Sequence, residues 1–158
     1  MFNVGDKVVY PMYGAGVIQA IEEKEILGHK KKYYILKFPI GSMKVMVPAD
    51  NVDNIGIRGI INSQEVDRVF QILGGRQTDM PDNWNKRYRA NMDKIKSGNI
   101  FEIAAVVRNL MIRDRDKGLS AGERKMLNSA KQILISELAL VQNVSDEEIE
   151  KLIDQSVK

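Results

Sequence analysis

The sequence predicts an α+β protein with a small β unit over residues 1–60 and a compact all-helical unit over residues 61–158. Two observations carry this. Short apolar runs broken by Gly and Pro fill the first part, as in a small barrel or curled sheet. Near Asn62 the apolar spacing changes to the helical period, and five segments with capping signals follow.

The β elements come in order. Lys7-Val8-Val9-Tyr10 is a β-branched run stopped by Pro11. Tyr13-Gly14-Ala15-Gly16 reads as a turn, since glycine supplies positive φ without strain. Val17 to Ile21 resumes the extended pattern, and Gly28-His29-Lys30 turns it again. Lys32 to Phe38 is a strand ended by Pro39; Gly41-Ser42 turns, and Met43 to Val47 alternates up to Pro48. The strand edges at Glu22–Ile26 and Lys44–Val47 mix charge with apolar residues. Such an edge either blocks unwanted pairing or selects one partner strand by charge.

The helical elements follow. Ser63 caps a helix whose Val66, Val69, Phe70 and Leu73 share one face, and Gly74-Gly75 stops it. Asp82 caps a helix from Asn83 to Ser97. Asn99 with Glu102 opens a third, ended by Gly118. Ser120 with Glu123 opens a long helix through about Val141, and Ser145 with Glu148 opens a last, acidic one.

Composition narrows the function classes. With no cysteine there is no disulfide framework, thiolate metal site or cysteine nucleophile. The one histidine, His29, falls in a turn, and no nucleophile elbow, phosphate-cradling loop or metal-spaced cluster is present. No catalytic residue, metal or cofactor is therefore expected. The N-terminal residues lack a signal-peptide pattern and no apolar run reaches bilayer length, so a cytoplasmic, non-membrane protein is expected.

Net charge is only +3, but its distribution is uneven. From Lys86 to Lys131 there are 12 Lys/Arg and 5 Asp/Glu; from Glu137 to Asp154 there is one Lys and six acids. A basic middle beside an acidic tail suits one anionic partner surface.

Two segments locate that surface. Pro81-Asp82-Asn83-Trp84-Asn85-Lys86-Arg87-Tyr88-Arg89 sets the only Trp of the chain in the first turn of a helix, with three cations close behind. The indole can stack on an exposed base or wedge at a base step while the cations neutralise phosphates; it can equally pack on Tyr88, one turn on. The second segment runs from Arg113 to Lys125. Arg124 and Lys125 stand in the first turn of a helix, where cations are unfavourable unless an anion shares the site. They suit phosphates, or pair with Asp114, Asp116 and Glu123.

The stretches Phe2 to Pro11 with Gly14 to Val17, Asn83 to Asn91, and Gly118 to Leu127 together resemble the CarD family of bacterial transcription regulators. Phe2-Asn3-Val4-Gly5-Asp6-Lys7-Val8-Val9-Tyr10-Pro11 with Gly14-Ala15-Gly16-Val17 is similar to its RNA-polymerase-interacting domain, which the transcription-repair coupling factor shares. Asn83 to Asn91 resembles the DNA-contacting helix, and Gly118 to Leu127 the loop and helix start that follow it. The resemblance implies a Tudor-like, SH3-like β domain on the polymerase β subunit and a helical domain on promoter DNA at the upstream edge of melting. It implies weak sequence specificity, through the minor groove and backbone. By position it assigns Trp84 as the wedge that slows closure of the open complex. Lys86, Arg87, Arg89 and Arg124 become phosphate contacts beside Lys125, and Lys24, Ile26 and Met46 become polymerase contacts. Better-known members carry arginine where this chain has Lys24 and Met46, so the contact at Met46 would be apolar here. The protein would lie on the nucleoid through polymerase, as a monomer, with exposed strand edges that also permit a strand-swapped dimer. The competing reading is a protein-interaction adaptor with no direct DNA contact, in which Trp84 is core.

Overall fold

The computed structural model describes residues 1–39 and 42–158. Strands β1 (Lys7–Tyr10), β2 (Gly14–Ile26), β3 (His29–Phe38) and β4 (Met43–Pro48) form an antiparallel meander. A 3₁₀ turn (Ala49–Asn51) and a short helix, α1 (Val52–Ile55), follow, and β5 (Arg58–Gly59) then returns to pair with β1. The resulting order β4-β3-β2-β1-β5 is the SH3-like arrangement expected. A bulge between Ile18 and Ala20 bends β2, so its first part pairs with β1 as well as β3. Val8, Ile18, Tyr34, Leu36, Phe38 and Val47 fill the concave side.

Gly14 to Gly16 are not turn residues. They lie in β2 opposite Tyr10 to Val8, and the turn itself is Pro11–Tyr13. Glycine serves close approach at Gly16: a Cβ there would lie 2.7 Å from the Lys37 carbonyl oxygen and 2.9 Å from the Phe38 ring. The next turn sits one residue earlier than expected, because Leu27 and Gly28 take φ of 51° and 79° while His29 opens β3. Of the expected Gly41-Ser42 turn, Gly41 lies outside the described residues. The short α1 and β5 carry no sequence signal that predicts them.

The helical unit comprises α2 (Ser63–Leu73), α3 (Trp84–Lys96), α4 (Ile100–Asp116), α5 (Ala121–Gln142) and α6 (Asp146–Ser156). Two caps differ from expectation by one residue. Asn62, not Ser63, caps α2 through a reciprocal box with Glu65, and Asn83, not Asp82, caps α3 by accepting the Lys86 N–H. Asn99, Ser120 and Ser145 cap as expected. Asn143, at φ 54°, ends α5. The core joins Val69 and Leu73 of α2 with Ile103, Val107 and Leu110 of α4, Leu134 and Leu138 of α5, and Ile149 and Ile153 of α6.

The β unit is riveted to α5. Ala15 N–H donates to Ser136 Oγ at 2.9 Å, with Gly14 packed beside it. Arg58 makes a two-pronged ion pair with buried Glu137, each prong 2.8 Å, while its other N–H groups reach the Gly98 and Gly59 carbonyls. Glu137 also accepts the Ile61 N–H at 2.9 Å. A planar guanidinium thus ties β5, the α3–α4 turn and α5 into one joint.

Candidate nucleic-acid interface

Trp84 is the first residue of α3 and remains 40% exposed. It also stacks on Tyr88, with ring centroids 5.0 Å apart and planes 20° apart, so packing on Tyr88 and exposure hold together. The third side is fixed by α5: Trp84 Nε1–H donates to Ser120 Oγ at 2.9 Å, and the ring lies over Gly122. One face of the indole is therefore braced on Tyr88 and its Nε1–Cζ2–Cη2 side on Ser120 and Gly122, while the residue stays 40% open to water. Its single N–H donor is already spent inside the protein.

Arg87 does not stand where a phosphate contact requires. It is 3% exposed. Its Nε–H donates to Glu123 Oε2 at 2.8 Å, its Nη2 to Glu123 Oε1 at 3.2 Å, and its Nη1 to the carbonyls of Pro81 and Asp82. The expectation of an Arg87–phosphate contact is corrected accordingly: all its reach is committed inward. The hydrogen bond from Arg87 holds the Glu123 carboxyl below the ordinary carboxylate range, helped by the nearby positive charges of Arg87 and Arg113 and by Ser120, against the effect of burial. The same bond raises Arg87 above its ordinary value. Ser120 joins this pair to the indole, since its Oγ accepts from Trp84 and from the Glu123 N–H and lies 3.5 Å from Glu123 Oε1. Sequence reasoning missed Glu123 as the partner of Arg87. The two lie 36 positions apart, on different helices, and no local pattern links them.

The segment leading into α3 is pinned to α4. Thr78 N–H donates to Asn109 Oδ1 at 3.1 Å, and buried Arg108 reaches the Ile72 carbonyl at 3.0 Å and Thr78 Oγ1 at 3.3 Å. Burial pushes Arg108 below its ordinary value.

The remaining cations are exposed but dispersed. Lys86 and Arg89 lie on the solvent side of α3, about 160° and 140° around it from Trp84 at 3.6 residues per turn. Lys125 is exposed on α5 next to Gly122 and thus close to the indole. Arg124 is exposed and forks onto Asp114 at 2.9 and 3.2 Å, the pairing weighed from sequence.

Lys24, Ile26 and Met46 are all exposed and share one face of the sheet. The register past the bulge aligns Ala20, Glu22, Lys24 and Ile26 of β2 with Ile35, Tyr33, Lys31 and His29 of β3, and Ile35 with Met46 of β4. Met46 lies on the edge strand, whereas Lys24 and Ile26 lie on the part of β2 that projects past β1 as a ribbon with β3. This face is convex and turned away from the core.

Among the described residues no helix is long and apolar enough to cross a membrane, and no group of three or more His, Cys, Asp or Glu is placed to hold a metal ion.

Comparison with known proteins matches residues 2–61 to the CarD-like/TRCF RID domain and residues 68–154 to the CarD C-terminal domain. A Bacillus subtilis (strain 168) protein described as "Putative transcription factor YdeB" is 42% identical over 149 residues, which cover 94% of this chain and 97% of that one. Two solved structures from Myxococcus xanthus are also similar. The 72-residue N-terminal domain of CarD is 37% identical, with 37% of this chain and 79% of that chain covered and a TM-score of 0.33. CdnLNt is 35% identical, with 39% and 86% covered and a TM-score of 0.33. Matched along nearly all its length by both domains and by a full-length relative, the chain belongs to the CarD family of transcription factors.

Proposed function

We propose that this protein binds the RNA polymerase β subunit through the convex face of its β unit. From there it holds promoter DNA at the upstream edge of melting through Trp84, and so prolongs the open complex without catalysing a reaction. The observation that supports this best is an indole 40% exposed at a helix start, braced on Tyr88, Gly122 and Ser120. A ring packed as core, which the adaptor reading needs, would not stay open to water to that extent. Because its N–H is occupied by Ser120, the indole acts as an apolar wedge. Sequence preference then comes from how easily a base step deforms rather than from hydrogen-bond readout.

Lys86, Arg89, Lys125 and Arg124 supply phosphate contacts, Arg124 after exchange from Asp114. Four such cations give weak, salt-sensitive affinity, so polymerase tethering supplies the effective concentration. A factor that favours open over closed promoter shifts the balance only by its difference in affinity. A stacked or wedged aromatic is worth about 1–3 kcal/mol, about 5- to 150-fold in open-complex population. The test is the lifetime of competitor-challenged open complexes with wild type and Trp84→Ala. Loss of the extension in the mutant, with polymerase binding retained, is expected; equal lifetimes refute the wedge.

A further inference from the structure

We infer that the DNA path does not end at Trp84 but continues along α5 onto the β1–β2 turn, so that Tyr13 of the β unit also touches the sugar-phosphate backbone. The inference rests on the DNA-facing reading of Trp84. From Gly122 under the indole, residues at helical spacing lead to Lys125, Ser129 and Gln132, and the last three are exposed. Ten residues of helix span about 15 Å, the length of four to five phosphates on one strand. Past Gln132 the helix runs under the β unit, where Ser136 meets Gly14 and Ala15.

At that junction Met12, Tyr13, Asn128, Ser129, Gln132 and Ile133 line an open groove of about 320 Å³. Its polar side chains are neutral hydrogen-bonding groups, with no carboxylate among them. That suits a phosphate backbone and not a cationic partner. Tyr13 is 53% exposed, and its ring is braced by Tyr10 at 4.9 Å and Phe38 at 6.1 Å. Met12 holds φ 75°, an unfavourable conformation for a side-chain-bearing residue, in the turn that presents Tyr13. The Ser136 and Arg58 joints fix this turn relative to α5, so both ends of the track belong to one rigid surface.

The chain has no cysteine, so single-cysteine variants carry a tethered iron chelate at one defined place. Ser129→Cys, Asn85→Cys and Gln155→Cys, all at exposed sites, are loaded and bound in promoter complexes with RNA polymerase, and backbone cleavage by the released hydroxyl radicals is mapped. Cleavage from position 85 reports the Trp84 contact. Cleavage from position 129, displaced by several nucleotides from that of position 85 and absent from position 155 on α6, is expected. Cleavage from 85 without cleavage from 129 overturns the track and leaves the wedge standing; cleavage from neither removes both. Gln132→Glu, which sets a carboxylate in the groove, is expected to shorten open-complex lifetime about three- to tenfold at low salt, and less at high salt. An unchanged lifetime overturns the contact at the groove, as does protection of position 129 by a protein segment.

Discussion

Replacing Glu123 with alanine separates two roles for Arg87. The carboxylate and the guanidinium are 2% and 4% exposed and 2.8 Å apart. Removing the acid leaves a buried cation held only by the Pro81 and Asp82 carbonyls. Breaking a buried pair from one side destabilises by about 3–5 kcal/mol, mostly through the uncompensated charge left behind. For a chain of this length each kcal/mol moves the melting point by about 2–4 °C, so Glu123→Ala should lower it by about 6–20 °C in calorimetry. Arg87→Met/Glu123→Leu, which removes both charges, should recover much of that loss. The pH dependence carries the same sign. Glu123 is held below its ordinary range, so it binds fewer protons folded than unfolded. Its contribution is complete above the unfolded carboxylate pKa of about 4.3 and is lost as pH falls through the lower folded value. Glu123→Gln should therefore flatten part of the loss of stability below about pH 4.3. A melting point for Glu123→Ala within about 2 °C of wild type would refute the buried-pair account and restore Arg87 as a surface cation.

Other outcomes follow from named contacts. Ser120→Ala removes a helix cap and the indole's only hydrogen-bond partner; it should lower stability by about 1 kcal/mol in urea and red-shift the fluorescence of the lone tryptophan. Arg58→Ala strands Glu137, leaving it the Ile61 N–H alone, and should destabilise by about 3–5 kcal/mol while loosening the β unit from α5 in hydrogen exchange. Gly16→Ala drives a methyl into the Lys37 carbonyl and the Phe38 ring and should lower stability by about 1–3 kcal/mol by thermal melt. Lys24→Glu and Met46→Glu, on the exposed convex face, should weaken co-precipitation of the full chain with the polymerase β subunit and leave the melting point within about 1 °C.

Local chemistry was legible in the sequence; partnerships across the fold were not. Asn99, Ser120 and Ser145 announce their helices because a cap bonds within three residues of itself. The strand runs of the β unit likewise announce themselves. Glycine misleads at Gly16, where its role is to let Phe38 approach and not to turn the chain. Trp84 could be placed at a helix start but not assigned a face, because its exposure is decided by Ser120 and Gly122 on another helix. Arg87 looked like its neighbours Lys86 and Arg89. Only the crossing of α3 and α5 brings Glu123 to it and draws that one cation of the three inward. Lys24 stands on the opposite face from the core residue Ile18, despite the even spacing between them, because of the bulge at Ile18/Ala20, which carries no signature in this sequence.

The claim that the indole enters opening DNA is tested most directly by replacing the single tryptophan with 5-fluorotryptophan, so that the chain carries one ¹⁹F label, at position 84. In complexes with RNA polymerase, its resonance should shift and broaden on an upstream-fork promoter and stay near the position of the free protein on fully paired promoter DNA held closed. A resonance identical in the two complexes would contradict the account.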